Sequence, residues 1–316
     1  MRLPRAAYAE LAAAEPADVP VARKLALLVR PALIAGPEKV FVWSDWSAIE
    51  ARITPWLAAS EGGEAVLDVF RANDRNPSLP DIYTIAAANI LDKDPSAVTK
   101  AERGIGKVAT LSLQFLGAIG ALLAMARNYR IHLEPAEARR IVNAWREANP
   151  WVREFGDALW DAAMQAWELP GQITTAGRLL TYPRPKWRDV DILDKDGNPT
   201  GETRTELSFR RARGRAKLWV GTLVENATQA CAADLLRQTV TRIETNPALS
   251  WMSIRMTTHD EIVCEVDAAR AEEAKAILRR EMLTVLKWAE GLPLASDENV
   301  CSYYTKSKAA LQGGRS

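Results

Sequence analysis

The sequence predicts an α+β fold: a small antiparallel sheet with helices, and a mostly helical insertion between its strands. Three observations predict it. Residues 40–45 form a nearly continuous apolar run, the pattern of a buried strand. From about residue 80 to 170 the reading is helical almost throughout. Residues 253–266 read as two short strands meeting at His259-Asp260 in a tight hairpin.

The elements follow in order. Residues 1–36, rich in Ala and Pro, read as a helical lead-in that stops at Gly36-Pro37. After the first strand, Ser47-x-x-Glu50 has the form of a capping box, so a helix starts there and runs through Trp56-Leu57-Ala58. Asp94-Pro95 and Thr99-x-x-Glu102 are further helix starts, and Gly117 with Gly120 marks an end. Glu134-Pro135 opens an amphipathic stretch, interrupted at Pro150 and closed by Pro170-Gly171. Strand character returns at Thr174–Tyr182, with turn chemistry at Asp196-Gly197-Asn198. A helix spans 218–245, and another runs from Ala268 to about Glu290.

Composition narrows the function classes. The 316 residues are 48% hydrophobic and 26% charged, ordinary for a globular protein, with a net charge of +1. That balance neither favours nor excludes nucleic acid, because phosphate contacts need only a locally positive surface. One candidate surface is Arg210-Arg211-x-Arg213-x-Arg215-x-Lys217, five cations within eight positions, whose plainer reading is a solvated loop face. Cys231, Cys264 and Cys301 are too widely spaced for a disulfide framework or a zinc knuckle. No apolar run approaches a membrane span and no signal-peptide core is present, which predicts a cytoplasmic protein without a membrane partner.

The chemistry concentrates in three places. Asp45 stands where the first strand stops, and Asp260-Glu261 stand at the hairpin tip beside His259. Carboxylates brought together in this way hold divalent metal. Taken singly, Asp45 also suits a helix cap, Glu50 a capping box, and Asp260 a turn. Between them, Arg103 and Lys107 lie one helical turn apart, with Gln114 and Phe115 continuing that face. Two such cations suit a triphosphate and the aromatic suits a base, whereas the plain alternative is an exposed basic face. Gly104 and Gly106 cost the helix about 1 kcal/mol each. Close approach of a ligand or of a neighbouring helix would account for them.

Asp45-Trp46-Ser47-Ala48-Ile49-Glu50-Ala51-Arg52 resembles the first signature of family A DNA polymerases, the group related to bacterial DNA polymerase I. Arg103-x-x-x-Lys107 with Phe115 resembles the second, His259-Asp260-Glu261 the third, and Gln229 in Val224–Ala230 a primer-template contact. The order is right, the likeness runs from about residue 20 to 305, and its details are closest to phage or prophage members. The resemblance implies a right-hand architecture: lead-in 1–36, palm 37–80, helical fingers 81–204 and palm again 205–316. It implies DNA-directed DNA synthesis with two Mg²⁺ ions, Mn²⁺ being a possible substitute, held by Asp45, Asp260 and the Trp46 carbonyl, with Glu261 auxiliary. It implies that Arg103, Lys107 and Tyr83 serve the triphosphate, Phe115 the base and Glu50 the exclusion of a ribose 2′-hydroxyl. Gln229 and His259 would touch DNA. Several positions depart from the family pattern: Tyr83 replaces a usual His, Leu111 an aromatic, and Phe115 a Tyr. Asn226 is one position away from the usual Asn, which falls at Glu225.

Thirty-five residues ahead of the palm cannot build a thumb, so the expected partners are primer-template DNA, dNTPs and a second chain that supplies thumb and N-terminal palm. A reduced polymerase and a non-catalytic DNA-binding remnant are the alternatives. A two-metal nuclease would use the same carboxylates but leave Arg103 and Lys107 without a role.

Overall fold

The computed structural model describes residues 29–168, 172–175, 177–193 and 198–306. Packing divides the chain into two compact units. One comprises 1–49, 235–286 and 294–316, and the other 50–234 with 287–293. These cuts differ from the subdomain boundaries expected at 36/37, 80/81 and 204/205, because the helices after residue 49 pack with the helical insertion.

The first unit is built on a four-stranded antiparallel sheet. Its strands are β1 (Lys39–Trp46), β7 (Ser253–Thr258), β8 (Glu261–Asp267) and β9 (Ser296–Cys301), in the order β7-β8-β1-β9. Residues 41–44 of β1 are buried without alternation, as an apolar run requires when both faces of a sheet are covered. On one face Phe41, Trp43, Val263, Cys301, Tyr303 and Tyr304 form a core cluster. Against β1 and β9 packs helix Ala271–Met282, and the Trp46 indole donates to the Met282 carbonyl at 2.9 Å.

Two expectations in this unit are corrected. The helix expected to reach Glu290 stops at Met282, and residues 296–301 then add the strand β9. Its sequence SDENVC is mostly polar because it is an edge strand paired on one side, so it lacks the alternation of a buried strand. Within the expected lead-in, residues 29–36 form turns and a bridge from Ile34 to Tyr303 rather than helix. Residues 1–28 lie outside the described residues, as do Pro170-Gly171 and Asp196-Gly197.

The second unit is helical. We number its helices α1 (Ile49–Ala58), α2 (Glu61–Arg75), α3 (Ile82–Leu91), α4 (Lys100–Leu113), α5 (Ile119–Asn128), α6 (Pro135–Ala148), α7 (Pro150–Glu168) and α8 (Val220–Glu244). The α8 helix runs on past Asp234 into the first unit, whose helix Ala271–Met282 is α9. A core of Val108, Leu113, Leu122, Ile141, Trp145 and neighbours fills the space among α3 to α7. The Thr99–Glu102 capping box of α4 is complete, and Asp94 caps a short 3₁₀ turn. Gly120, expected at a helix end, sits in the first turn of α5.

Two small sheets complete the unit. One is the hairpin of β2 (Gln172–Thr175) with β3 (Arg178–Thr181). The other has three antiparallel strands, β4 (Lys186–Leu193), β5 (Pro199–Arg210) and β6 (Arg215–Lys217). Leu207 and Phe209 of β5 cluster with Leu218 and Leu223, against Leu159, Trp160 and Met164 of α7. Among the described residues no helix is long and apolar enough to cross a membrane.

Candidate active site

In the sheet unit, Asp45 ends β1 opposite Glu261 of β8, and a two-residue connection, His259-Asp260, joins β7 to β8. His259 has φ +56°, a left-handed conformation that L-residues other than Asn, Asp and His seldom adopt. The turn is tied to β1, with the Trp46 amide donating to the Asp260 carbonyl at 3.4 Å. This places the Asp260 carboxyl beside that of Asp45. Burial pushes the Asp260 pKa up, and the Asp45 charge with a carboxyl–carboxyl hydrogen bond adds to it, to about 7. Two like charges are therefore held together with too little counter-charge for both to ionise freely.

Glu261 has a different role from its neighbour. It is 1% exposed, and its carboxylate accepts from the Tyr304 hydroxyl and from the Lys306 ammonium. Lys306 also donates to Asp45 Oδ2 at 2.8 Å, so one ammonium bridges the two register partners. Burial lowers the Lys306 pKa, but the bonds to Asp45 and Glu261 outweigh it and the net shift is upward. Tyr304 packs edge-on against Trp43, with ring centroids 5.6 Å apart. Its hydroxyl pKa is pushed up to about 12, by burial first and then by the bond to Glu261. Among the described residues, no three His, Cys, Asp or Glu side chains gather around one point. What the unit offers a cation is the Asp45–Asp260 pair. Hard oxygen donors in mutual repulsion fit Mg²⁺ or Mn²⁺, and an ammonium already rests on one of them.

In the helical unit the structure brings Arg103, Lys107 and Tyr83 together. Arg103 clamps Asp81, its Nε lying 2.9 and 3.1 Å from the two carboxylate oxygens. Asp81 also caps α3 through the Thr84 amide and hydroxyl at 2.9 and 2.8 Å. Burial raises the Asp81 pKa, but the bonds from Arg103 and Thr84 more than offset this and hold it below the usual carboxylate range. Lys107 has no carboxylate partner among the described residues. Its ammonium lies between two rings, 5.6 Å from the Tyr83 centroid and 5.4 Å from that of Tyr129. Arg103 also lies 5.3 Å from the Tyr83 ring. Burial, with Tyr129 and Asp81 nearby, pushes the Tyr83 hydroxyl up to about 12, so it stays protonated and able to donate a hydrogen bond.

The two helical glycines separate. A Cβ on Gly106 would lie 2.1 Å from the Tyr83 carbonyl oxygen, whereas one on Gly104 would meet only Ile131 at 3.4 Å. The approach of a neighbouring helix thus explains Gly106. Phe115 does not continue the Arg103–Lys107 face as expected: α4 ends at Leu113, Gln114 is buried, and Phe115 lies half-buried in the turn beyond.

Glu50 and Gln229 meet directly, Gln229 Nε2 donating to Glu50 Oε1 at 2.5 Å, while Thr54 and Thr228 share a buried hydroxyl contact at 3.1 Å. The expected capping box at this point is corrected. The helix starts at Ile49, after Ala48 at φ +54°, and the Ser47 hydroxyl donates to Asp297 at 2.8 Å. Sequence reasoning missed Lys306, Tyr304 and Asp81. Asp81 carried a signal, as an Asp one position ahead of an apolar helix. The other two did not, since their place depends on β9.

Comparison with known proteins places the chain in a family and a fold. The sequence profile of DNA polymerase family A matches residues 9–305. A DNA polymerase of Bacillus phage SP02 is 32% identical over 302 residues, covering 89% of this chain and 44% of the relative. DNA polymerase I of Chloroflexus aurantiacus is 23% identical over 274 residues, covering 85% and 24%. Among solved structures, the POL domain of Pol1 from M. smegmatis, in complex with DNA primer-template and dNTP, superposes with a TM-score of 0.61 at 18% identity. That match covers 91% of this chain and 43% of the other, and shows the fold. The chain therefore spans less than half the length of the relatives it matches. With residues 9–305 matched by one profile, the chain belongs to DNA polymerase family A.

Proposed function

We propose that this chain carries the nucleotidyl-transfer chemistry of a DNA-directed DNA polymerase, adding dNMP to a primer 3′-hydroxyl as the template directs. The observation that carries the reading is the Asp45–Asp260 pair, two acids held side by side at the end of a rigid strand. Asp45, Asp260 and the Trp46 carbonyl would hold two Mg²⁺ ions, which supply Lewis-acid activation of the hydroxyl and neutralisation of the leaving pyrophosphate.

The remaining work falls to side chains. Lys107, without a carboxylate partner among the described residues, binds the triphosphate and offsets charge that develops on it. Arg103 does the same after exchanging Asp81 for phosphate. Tyr83, protonated throughout the working pH range, donates its hydroxyl and gives the two cations an aromatic floor. Glu50, oriented by Gln229, excludes a ribose 2′-hydroxyl. Phe115 packs against a base, and Gln229 and His259 contact DNA. Glu261 holds Lys306 and Tyr304, and the same Lys306 ammonium rests on Asp45 in the absence of metal.

Primer extension by the purified chain at low salt with Mg²⁺ and dNTPs, beside an Asp260→Ala control, tests the reading. Extension by the unaltered chain and its loss by at least 10³-fold in the variant is the expected result. Equal rates in both would overturn it. Nucleotide release from DNA without added dNTPs would indicate a nuclease instead. The 44% share of the phage relative favours a second reading, in which the chain binds DNA and dNTP but needs further polypeptide for turnover. Binding without extension would mark that case.

A further inference from the structure

The three-stranded sheet β4-β5-β6 has two unlike faces. In the observed register Lys186 pairs with Ser208, Arg188 with Glu206 and Val190 with Arg204, while Ser208 pairs with Lys217 and Arg210 with Arg215. Paired residues share a face. Among the residues so paired, one face therefore collects Lys186, Arg188, Arg204, Arg210, Arg215 and Lys217, six cations with a single carboxylate, Glu206. The opposite face holds Leu207, Phe209 and Ala216 of the apolar cluster against α7, along with Asp189 and Asp191.

The lone acid is covered. Glu206 is 8% exposed and is bound by Lys217 at 2.7 Å and Arg204 at 2.8 Å, so the face presents cations outward and its carboxylate inward. Arg215 is braced by Ser208 Oγ at 3.0 Å and by the Ser208 carbonyl at 2.7 Å. Lys186, Arg188 and Arg210 are exposed and have no acidic partner among the described residues. The chain as a whole carries only +1, so this concentration is not a general excess of cations. From Pro199 to Thr205 the β5 strand is exposed on both sides, and β4 is nearly so. Its outer half is a ribbon with little core of its own.

We propose that this face is a DNA-binding surface that grips the phosphate backbone of the duplex, with the β4-β5 ribbon running along it. A two-stranded ribbon fits a DNA groove, and rows of cations at strand spacing suit successive phosphates. This deepens the polymerase reading and rests on it. The contact adds sequence-independent affinity that leaves the Arg103–Lys107 and Asp45–Asp260 chemistry unchanged.

The test is a triple variant, Lys186→Gln with Arg188→Gln and Arg210→Gln, compared with the unaltered chain for primer-template binding by fluorescence anisotropy across a salt series. The expected result is a log–log salt slope shallower by about 2 to 3 and affinity at low salt reduced roughly tenfold or more. dNTP binding and the melting temperature should be unchanged. A charge-preserving variant, Lys186→Arg with Arg188→Lys and Arg210→Lys, should keep the slope. Unaltered DNA binding in the triple variant would overturn this surface while leaving the polymerase reading intact. No DNA binding by the unaltered chain would overturn both. Loss of binding to single-stranded RNA or polyglutamate alone, with DNA binding kept, would overturn the assignment to DNA.

Discussion

The sheet unit and the helical unit manage charge in opposite ways. At the end of β1, Asp45 and Asp260 are pressed together, and Lys306 must serve both Asp45 and Glu261. On α4, Arg103 is clamped by Asp81, while Lys107 one turn later rests on aromatic rings with no carboxylate partner among the described residues. The first region is short of positive charge and the second leaves one positive charge unspent. A fold selected for stability alone would neutralise both within itself. We read what each leaves unbalanced as a preference, for a cation in the sheet unit and for an anion in the helical one.

The largest test of this contrast lies on α4. Lys107→Ala should lower kcat/KM for dNTP roughly 10²- to 10³-fold, the scale of losing one donor to developing charge. Arg103→Ala should cost less than Lys107→Ala, because Asp81 already occupies its guanidinium. Asp81→Asn should release Arg103 and tighten dNTP binding a few-fold. Steady-state kinetics on the three variants order them, and an Arg103 loss larger than the Lys107 loss would invert the comparison.

A smaller effect is expected at Lys306. If its ammonium occupies a position that a metal ion would otherwise neutralise, Lys306→Met should tighten Mn²⁺ binding by about fivefold to thirtyfold, from about 1–2 kcal/mol of removed competition. The same change leaves the buried Glu261 without its cation and should lower the melting temperature. Mn²⁺ titration by electron paramagnetic resonance reads the first effect and a thermal melt the second. Weaker Mn²⁺ binding would show that Lys306 orients Asp45 rather than competing for it.

A further effect is in the pH dependence of stability. The folded pKa of Asp260, about 7, lies above its unfolded value near 3.8, so between those values the folded state binds the extra proton. Stability contributed there is present below the unfolded pKa and is lost as pH rises through the folded one. In the presence of a chelator, the unfolding midpoint should fall from about pH 4 to pH 7 relative to Asp260→Asn. Mg²⁺ should recover part of it. A flat difference between the two proteins would mean that neither burial nor Asp45 raises the Asp260 pKa in the folded state.

Much of this arrangement was legible in the sequence, and the limits have physical causes. The β1 run, the β7–β8 hairpin and the Thr99–Glu102 cap are set by local pattern and came out as expected. So did the belonging of the chain to its family, which rests on three short motifs in order. The β9 strand was not legible, because an edge strand satisfied on one side has no periodicity to betray it. Lys306 followed it into obscurity, since its site is set by pairing with a strand more than two hundred and fifty positions earlier. The Glu50–Gln229 contact was hidden for the same reason. At Ser47 a local signal misled, because Ala48 takes a left-handed conformation, φ +54°, and the helix starts only at Ile49, one residue too late for the capping pattern.

The 2.1 Å separation at Gly106 has a consequence for how this protein can change. With no room for even a methyl group between α4 and the Tyr83 carbonyl, the two helices share a single contact surface, and Asp81, Tyr83, Arg103 and Lys107 form one rigid cassette. Substitution at Tyr83 would therefore be felt by both cations together. Variation in this part of the chain should be inherited as a matched set, and a laboratory search for altered nucleotide preference should randomise the four positions jointly while leaving the glycine alone.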